Sequence, residues 1–170
     1  MKTSTWKCAD WLAQRFVITL ERQREGQLLF TSWWHHDAVY TDHDTKLQFA
    51  RKSFWSSDIF ITKDGEPLGE IRFGLFGEPA LTRASGELFV LSTSLWEQEA
   101  YWKTAGGETL MRFQQAALSF IGKGVIRSAE ALPRELETLL VSSGVFAQQL
   151  SRNRTVLLVA MLLLLIAGNG

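Results

Sequence analysis

Residues 57–73 read SDIFITKDGEPLGEIRF, which is the sequence of a β-hairpin. Ile59 and Ile61 fall on one face of a strand and Phe60 on the other, since side chains alternate with a period of two. Asp64-Gly65 supplies a two-residue turn, because glycine accepts positive φ without steric cost. Gly69 to Phe73 returns with the same alternation.

Outward from this unit the same grammar recurs. Gln27 to Trp34 reads as a strand. Ala38-Val39-Tyr40 leads through Thr41–Thr45 into Lys46-Leu47-Gln48-Phe49, again strand, turn formers, strand. Ala84-Ser85-Gly86 is a turn before the strand Glu87 to Leu91, and Ala105-Gly106-Gly107 joins Ala100–Lys103 to Leu110–Gln114. Ser119 to Ile126 reads as a strand bent by Gly122 and Gly124. Two units share a Gly-Glu turn followed by apolar-Arg-Phe, at Gly65-Glu66 with Ile71-Arg72-Phe73 and at Gly107-Glu108 with Met111-Arg112-Phe113. The spacing differs, so the repeat is degenerate, as serial hairpins around a barrel allow. Upstream, Trp11 to Leu20 reads as a short helix entering a strand, and the segment around Cys8 as a mobile N-terminus.

Leu132 changes the pattern. Pro133 suits the first turn of a helix, and Glu135 and Glu137 stand where the helix dipole favours acids. Leu136, Leu139, Leu140, Val141, Val145, Phe146 and Leu150 then recur at helical spacing. Ser151-Arg152-Asn153-Arg154 interrupts with charge, and Val156 to Ala167 follows without one polar side chain. A helix apolar on every side is either a core helix or lies in lipid. Thr155 to Gly168 would extend for roughly 21 Å at 1.5 Å per residue, against about 30 Å for a bilayer core. That length threads a small barrel or dips into one leaflet. The preferred assignment places 134–150 inside the barrel and leaves 151–170 as an apolar segment for membrane or partner contact. The reverse assignment competes with it.

Composition narrows the function classes. At 170 residues the chain can bury a core without staples. Lys+Arg and Asp+Glu balance at 18 each, which argues against a nucleic-acid partner. The single Cys8 cannot form an internal disulfide and fits a reducing compartment. Residues 1–15 lack the apolar run of a secretory signal. Abundant aromatics, with 7 Trp and 11 Phe, suit half-buried pleated surfaces.

The serial hairpins, Asp-Gly turn and hydrophobic C-terminal helix together resemble the tubby C-terminal-like superfamily, which includes tubby, the phospholipid scramblases and the LURP-one-related proteins. The resemblance rests on Tyr40–Phe49, Ser57–Phe73, Glu87–Leu91, Tyr101–Gln114 and Leu132–Leu150, is one of pattern, and contains no fixed signature. It implies a closed twelve-stranded barrel around a buried helix, working at or near a membrane. Phosphoinositide binding through basic side chains on the barrel wall, known in tubby, does not carry over: Lys63, Arg72 and Lys123 are scattered along the chain. Neither a scramblase-type calcium site nor a cysteine-rich acylation segment has a counterpart.

Chemistry is sparse. His35, His36 and His43 lie close in sequence, interleaved with Asp37, Asp42 and Asp44. Imidazole and carboxylate suit a divalent transition metal, and a turn could bring His43 back toward His35 and Asp37. The spacing matches no recurrent zinc motif, so an exposed Asx turn with surface histidines is the preferred reading. There is no G-x-S-x-G elbow, and Gly122-Lys123-Gly124 is too short for a phosphate loop. Glu97 and Glu99 can share a strand face, where such pairs are usually solvated. The outward partners of Trp33-Trp34 and Phe54-Trp55, taken as Trp34 and Trp55, point to lipid or partner contact. Arg152 and Arg154 suit headgroups on the cytoplasmic side.

The sequence thus predicts a closed antiparallel β-barrel of serial hairpins around a hydrophobic C-terminal helix. Its expected role is non-enzymatic and needs no cofactor: binding lipid or a membrane-protein partner at the cytoplasmic face of a membrane. Two alternatives stand beside it, an accessory subunit whose C-terminal helix packs into a larger complex, and a metal-dependent enzyme using His35, His36 and His43.

Overall fold

The computed structural model describes residues 1–10, 12, 14–21, 24–32, 37–53, 56–74, 78–94, 98–116 and 122–167, with side chains as far as Arg152. The first six strands are β1 (Lys2–Cys8), β2 (Arg15–Leu20), β3 (Arg24–Ser32), β4 (Asp37–Thr41), β5 (Lys46–Arg51) and β6 (Ile59–Lys63). The next six are β7 (Glu66–Arg72), β8 (Ala80–Arg83), β9 (Leu88–Ser94), β10 (Glu99–Thr104), β11 (Thr109–Gln115) and β12 (Lys123–Ser128). Each pairs antiparallel with its neighbours in sequence, and β1 pairs with β12 to close the barrel. The predicted fold class is the observed one. Closure satisfies every strand edge internally.

The 57–73 hairpin is β6 and β7, with Ile59 and Ile61 buried and Phe60 exposed. Asp64 and Gly65 both have positive φ, 51° and 87°, as a tight turn matched to strand twist requires. Its degenerate copy is the β10–β11 hairpin. Each carries a register shift with the extra residue on its second strand, Leu68 opposite the Ile61–Thr62 step and Leu110 opposite the Trp102–Lys103 step.

One reading of the N-terminal region needs correction. Lys2–Cys8 is not mobile: it is the strand that closes the barrel, running from Lys2 opposite Ser128 to Lys7 opposite Lys123. Its inward positions are Ser4 and Trp6, so it carries too few apolar residues to announce itself. The strand expected to end at Leu20 is β2, where Phe16, Ile18 and Leu20 alternate inward with a period of two, while Trp11 and Ala13 of the expected short helix lie outside the described residues. Strand β3 starts at Arg24, earlier than the sequence indicated, and β12 starts at Lys123.

Helix α1 (Arg134–Ala167) follows β12 after a short turn. Every residue from Glu137 to Ala147 is buried, so the helix is covered on all sides by the barrel wall. Phe146 stacks on Phe49 at 4.8 Å and on Phe30 at 5.5 Å. Trp102 Nε1 donates to the Leu140 carbonyl at 2.8 Å. Gly144 lets the wall approach, because a Cβ there would lie 2.3 Å from Phe113 and 2.9 Å from Trp102. The helix does not stop at the charged stretch 151–154: the two apolar segments of the sequence are one continuous element of 34 residues, about 51 Å long at 1.5 Å per residue.

Candidate functional site

An antiparallel meander sends alternate connections to opposite ends of the barrel. The proximal end, where α1 begins, carries the β2–β3, β4–β5, β6–β7, β8–β9 and β10–β11 turns. The distal end, which α1 leaves, carries the β1–β2, β3–β4, β5–β6, β7–β8, β9–β10 and β11–β12 connections. The two ends differ in chemistry.

The proximal end is a network of paired charges that seats the helix N-terminus. Arg134 bonds Asp44 from the β4–β5 turn, and Lys63 reaches Glu135 at 2.8 Å. Lys2 Nζ lies 3.2 Å from Glu137, whose other oxygen accepts from Ser128 at 3.0 Å. Arg24 donates to Thr138 at 3.2 Å and stands 3.7 Å from Asp42. Hydrogen bonds from His43 and Arg134 hold the Asp44 carboxyl below its usual pKa, and Lys63 does the same for Glu135. Burial, with the Asp42 carboxylate at 3.2 Å, pushes the Tyr40 phenol well above its usual range. A cleft of about 320 Å³ opens between Asp44, Lys63, Arg134, Glu135 and Thr138. Its charges are mutually satisfied, and no nucleophile with a base lines it.

The distal end is where the helix continues outward. Leu150 is buried, Arg152 is exposed, and the Arg152 guanidinium lies beside Gly122 of the β11–β12 connection. Beyond it the backbone remains helical to Ala167 through the twelve-residue apolar run. On the outer wall of this end stand Lys7, Arg15 and Lys123, all exposed. Among the described residues, no helix is long and apolar enough to cross a membrane.

The residues singled out from sequence fall as follows. Arg152 sits at the helix exit. Trp34, Trp55, His35 and His36 lie outside the described residues, as does the side chain of Arg154. His43 is on the proximal end, bonded to Asp44 at 2.6 Å, which raises its pKa. The turn does not bring it back toward Asp37: β4 stands between them, about 17 Å long for its five residues. Asp37 instead accepts the Arg51 N–H at 3.2 Å. Among the described residues no group of three or more His, Cys, Asp or Glu could hold a metal ion. Asp42 takes the backbone N–H groups of Asp44 and Thr45, the Asx turn expected there.

Glu99 departs from the solvated pair expected of it. It is buried, and hydrogen bonds from Arg112 and Tyr101 hold its carboxyl below the usual range. Cys8 donates its thiol to the Asp10 carbonyl at 2.9 Å. Lys7, Arg15 and Lys123 were not recognised together from sequence, because only the β1–β12 closure juxtaposes them. Compared with known protein families, curated proteins and solved structures, the chain matches none.

Proposed function

We propose that this protein is a non-enzymatic, membrane-associated β-barrel domain that binds lipid at the cytoplasmic face of a membrane, with the C-terminal part of α1 as its anchor. The observation that carries the reading is the continuity of α1, which runs from the enclosed core through the distal end into an apolar run. Burying one large aliphatic side chain gains roughly 1.5–3 kcal/mol, so such a run demands cover. The barrel interior is already filled by residues 137–147. At roughly 21 Å, the segment 155–168 is short for a full span and suits insertion into one leaflet. Arg152 and Arg154 precede it, where basic residues meet headgroups. A closed twelve-stranded barrel around a helix also supports membership of the tubby-like superfamily.

Fractionation tests the reading. The full chain should resist carbonate extraction and yield to detergent, and removal of residues 155–170 should release a folded barrel to the soluble fraction. Release of the full chain by carbonate together with a stoichiometric protein partner would favour the accessory-subunit reading instead.

A further inference from the structure

We infer that the distal end of the barrel docks end-on against an anionic lipid surface, with Lys7, Arg15 and Lys123 meeting the phosphates. This rests on the anchoring proposed above and adds an orientation and a lipid charge to it. Lys7 and Lys123 are direct cross-strand partners. Their neighbours Trp6 and Gly124 meet on the inner face, since a Cβ on Gly124 would lie 2.2 Å from the Trp6 ring. Both lysines therefore stand on the outer wall. Like charges directly opposite each other destabilise a sheet, and an anionic partner relieves that repulsion.

Arg15 extends the patch on β2, its carbonyl accepting from Ala9 at 2.7 Å. Among the described residues, Lys7, Arg15 and Lys123 make no side-chain ion pair. The local carboxylate, Asp10, is engaged by the backbone N–H groups of Gln14 and Arg15 at 2.9 and 3.2 Å. Burial opposes ionisation there, yet these bonds, the Cys8 thiol and the nearby Arg15 charge keep its pKa low, so the two lysines carry the uncompensated part of the patch. The proximal end shows the opposite condition, with Lys2, Lys63 and Arg134 each matched to a carboxylate.

The exit of α1 lies at the same end, so basic patch and helix exit share one end of the barrel.

The test uses the full chain with phosphatidylcholine vesicles, with and without phosphatidylserine. Replacing Lys7→Gln and Lys123→Gln together should weaken partition onto the anionic vesicles about 30-fold, from two contacts near the surface, and leave binding to neutral vesicles unchanged. Equal binding by wild type and variant to anionic vesicles overturns the docking. Orientation is read with an environment-sensitive dye at Ser53→Cys (distal) or Ser85→Cys (proximal), each in a Cys8→Ser background. The distal dye should be quenched by nitroxide headgroup lipids and the proximal dye should not. Equal or reversed quenching overturns the orientation while the anchoring survives. Failure of the full chain to bind either vesicle sinks the anchoring and the docking together.

Discussion

The two halves of helix α1 invert a simple expectation. The greasier half, Val156 to Ala167, is not the one enclosed by the barrel; the half carrying Ser142, Ser143, Gly144 and Gln149 is. A barrel interior is a solid of fixed shape, packed as tightly as a crystal. It selects small residues where the wall comes close and polar groups where it supplies partners. Ser142 donates back to the Thr138 carbonyl at 2.8 Å, and Gly144 leaves room for Phe113 and Trp102. Lipid is a deformable solvent and asks only for apolarity. Hydrophobicity alone therefore did not choose the core; fit did.

That contrast can be broken most sharply by deletion. Removing residues 155–170 should move the protein wholly from the membrane to the soluble fraction, with the unfolding transition of the barrel retained; loss of the fold would show that the terminal half is a core element. Next in size, Phe146→Ala should cost about 3–5 kcal/mol in chemical denaturation, because Phe146 fills the stack between Phe30 and Phe49. Leu158→Ala should leave the same transition unmoved. Gly144→Ala should cost about 1–3 kcal/mol, as overpacking does, although alanine is the better helix former. A stabilised variant would show that the wall yields there.

The smallest effect is pH-dependent. The carboxyls of Glu99, Asp44 and Glu135 are all held low in the folded state. A depressed carboxyl contributes stability that is complete above its unfolded pKa, about 4, and is lost as pH falls through the lower folded value. The melting temperature should therefore fall on acidification below that range. Glu99→Gln should flatten the fall, and an unchanged profile would mean that the Arg112 contact contributes nothing. His43 has the opposite sign: its raised pKa gives a contribution present below about 6.5 that fades as pH rises through the folded value.

Legibility from sequence tracked locality. The β6–β7 hairpin was readable because its turn and both strands lie within Ile59–Arg72. So were the helix start at Pro133-Arg134 and its apolar spacing. Strand β1 was not, because Lys-Thr-Ser-Thr-Trp-Lys-Cys contains little apolar surface and its partner β12 lies at the other end of the barrel domain in sequence. The pairing of Glu99 with Arg112 depends on the β10–β11 register, which places Glu99 opposite Gln114 and Arg112 opposite Tyr101, two residues along on the same face. The Asx turn at Asp42 was legible for the same reason as the hairpins, since its partners Asp44 and Thr45 lie within three residues of it.

By itself the sequence determined the period of each segment, the turns between them and the existence of an apolar C-terminal helix, since these follow from backbone preferences and side-chain alternation acting over a few residues. Only the tertiary structure decided that β1 closes the barrel, that residues 134–150 fill it, and that Lys7 faces Lys123. Those outcomes depend on edges that must find hydrogen-bond partners and on an interior volume that must be filled, and neither is a property of any short stretch of chain.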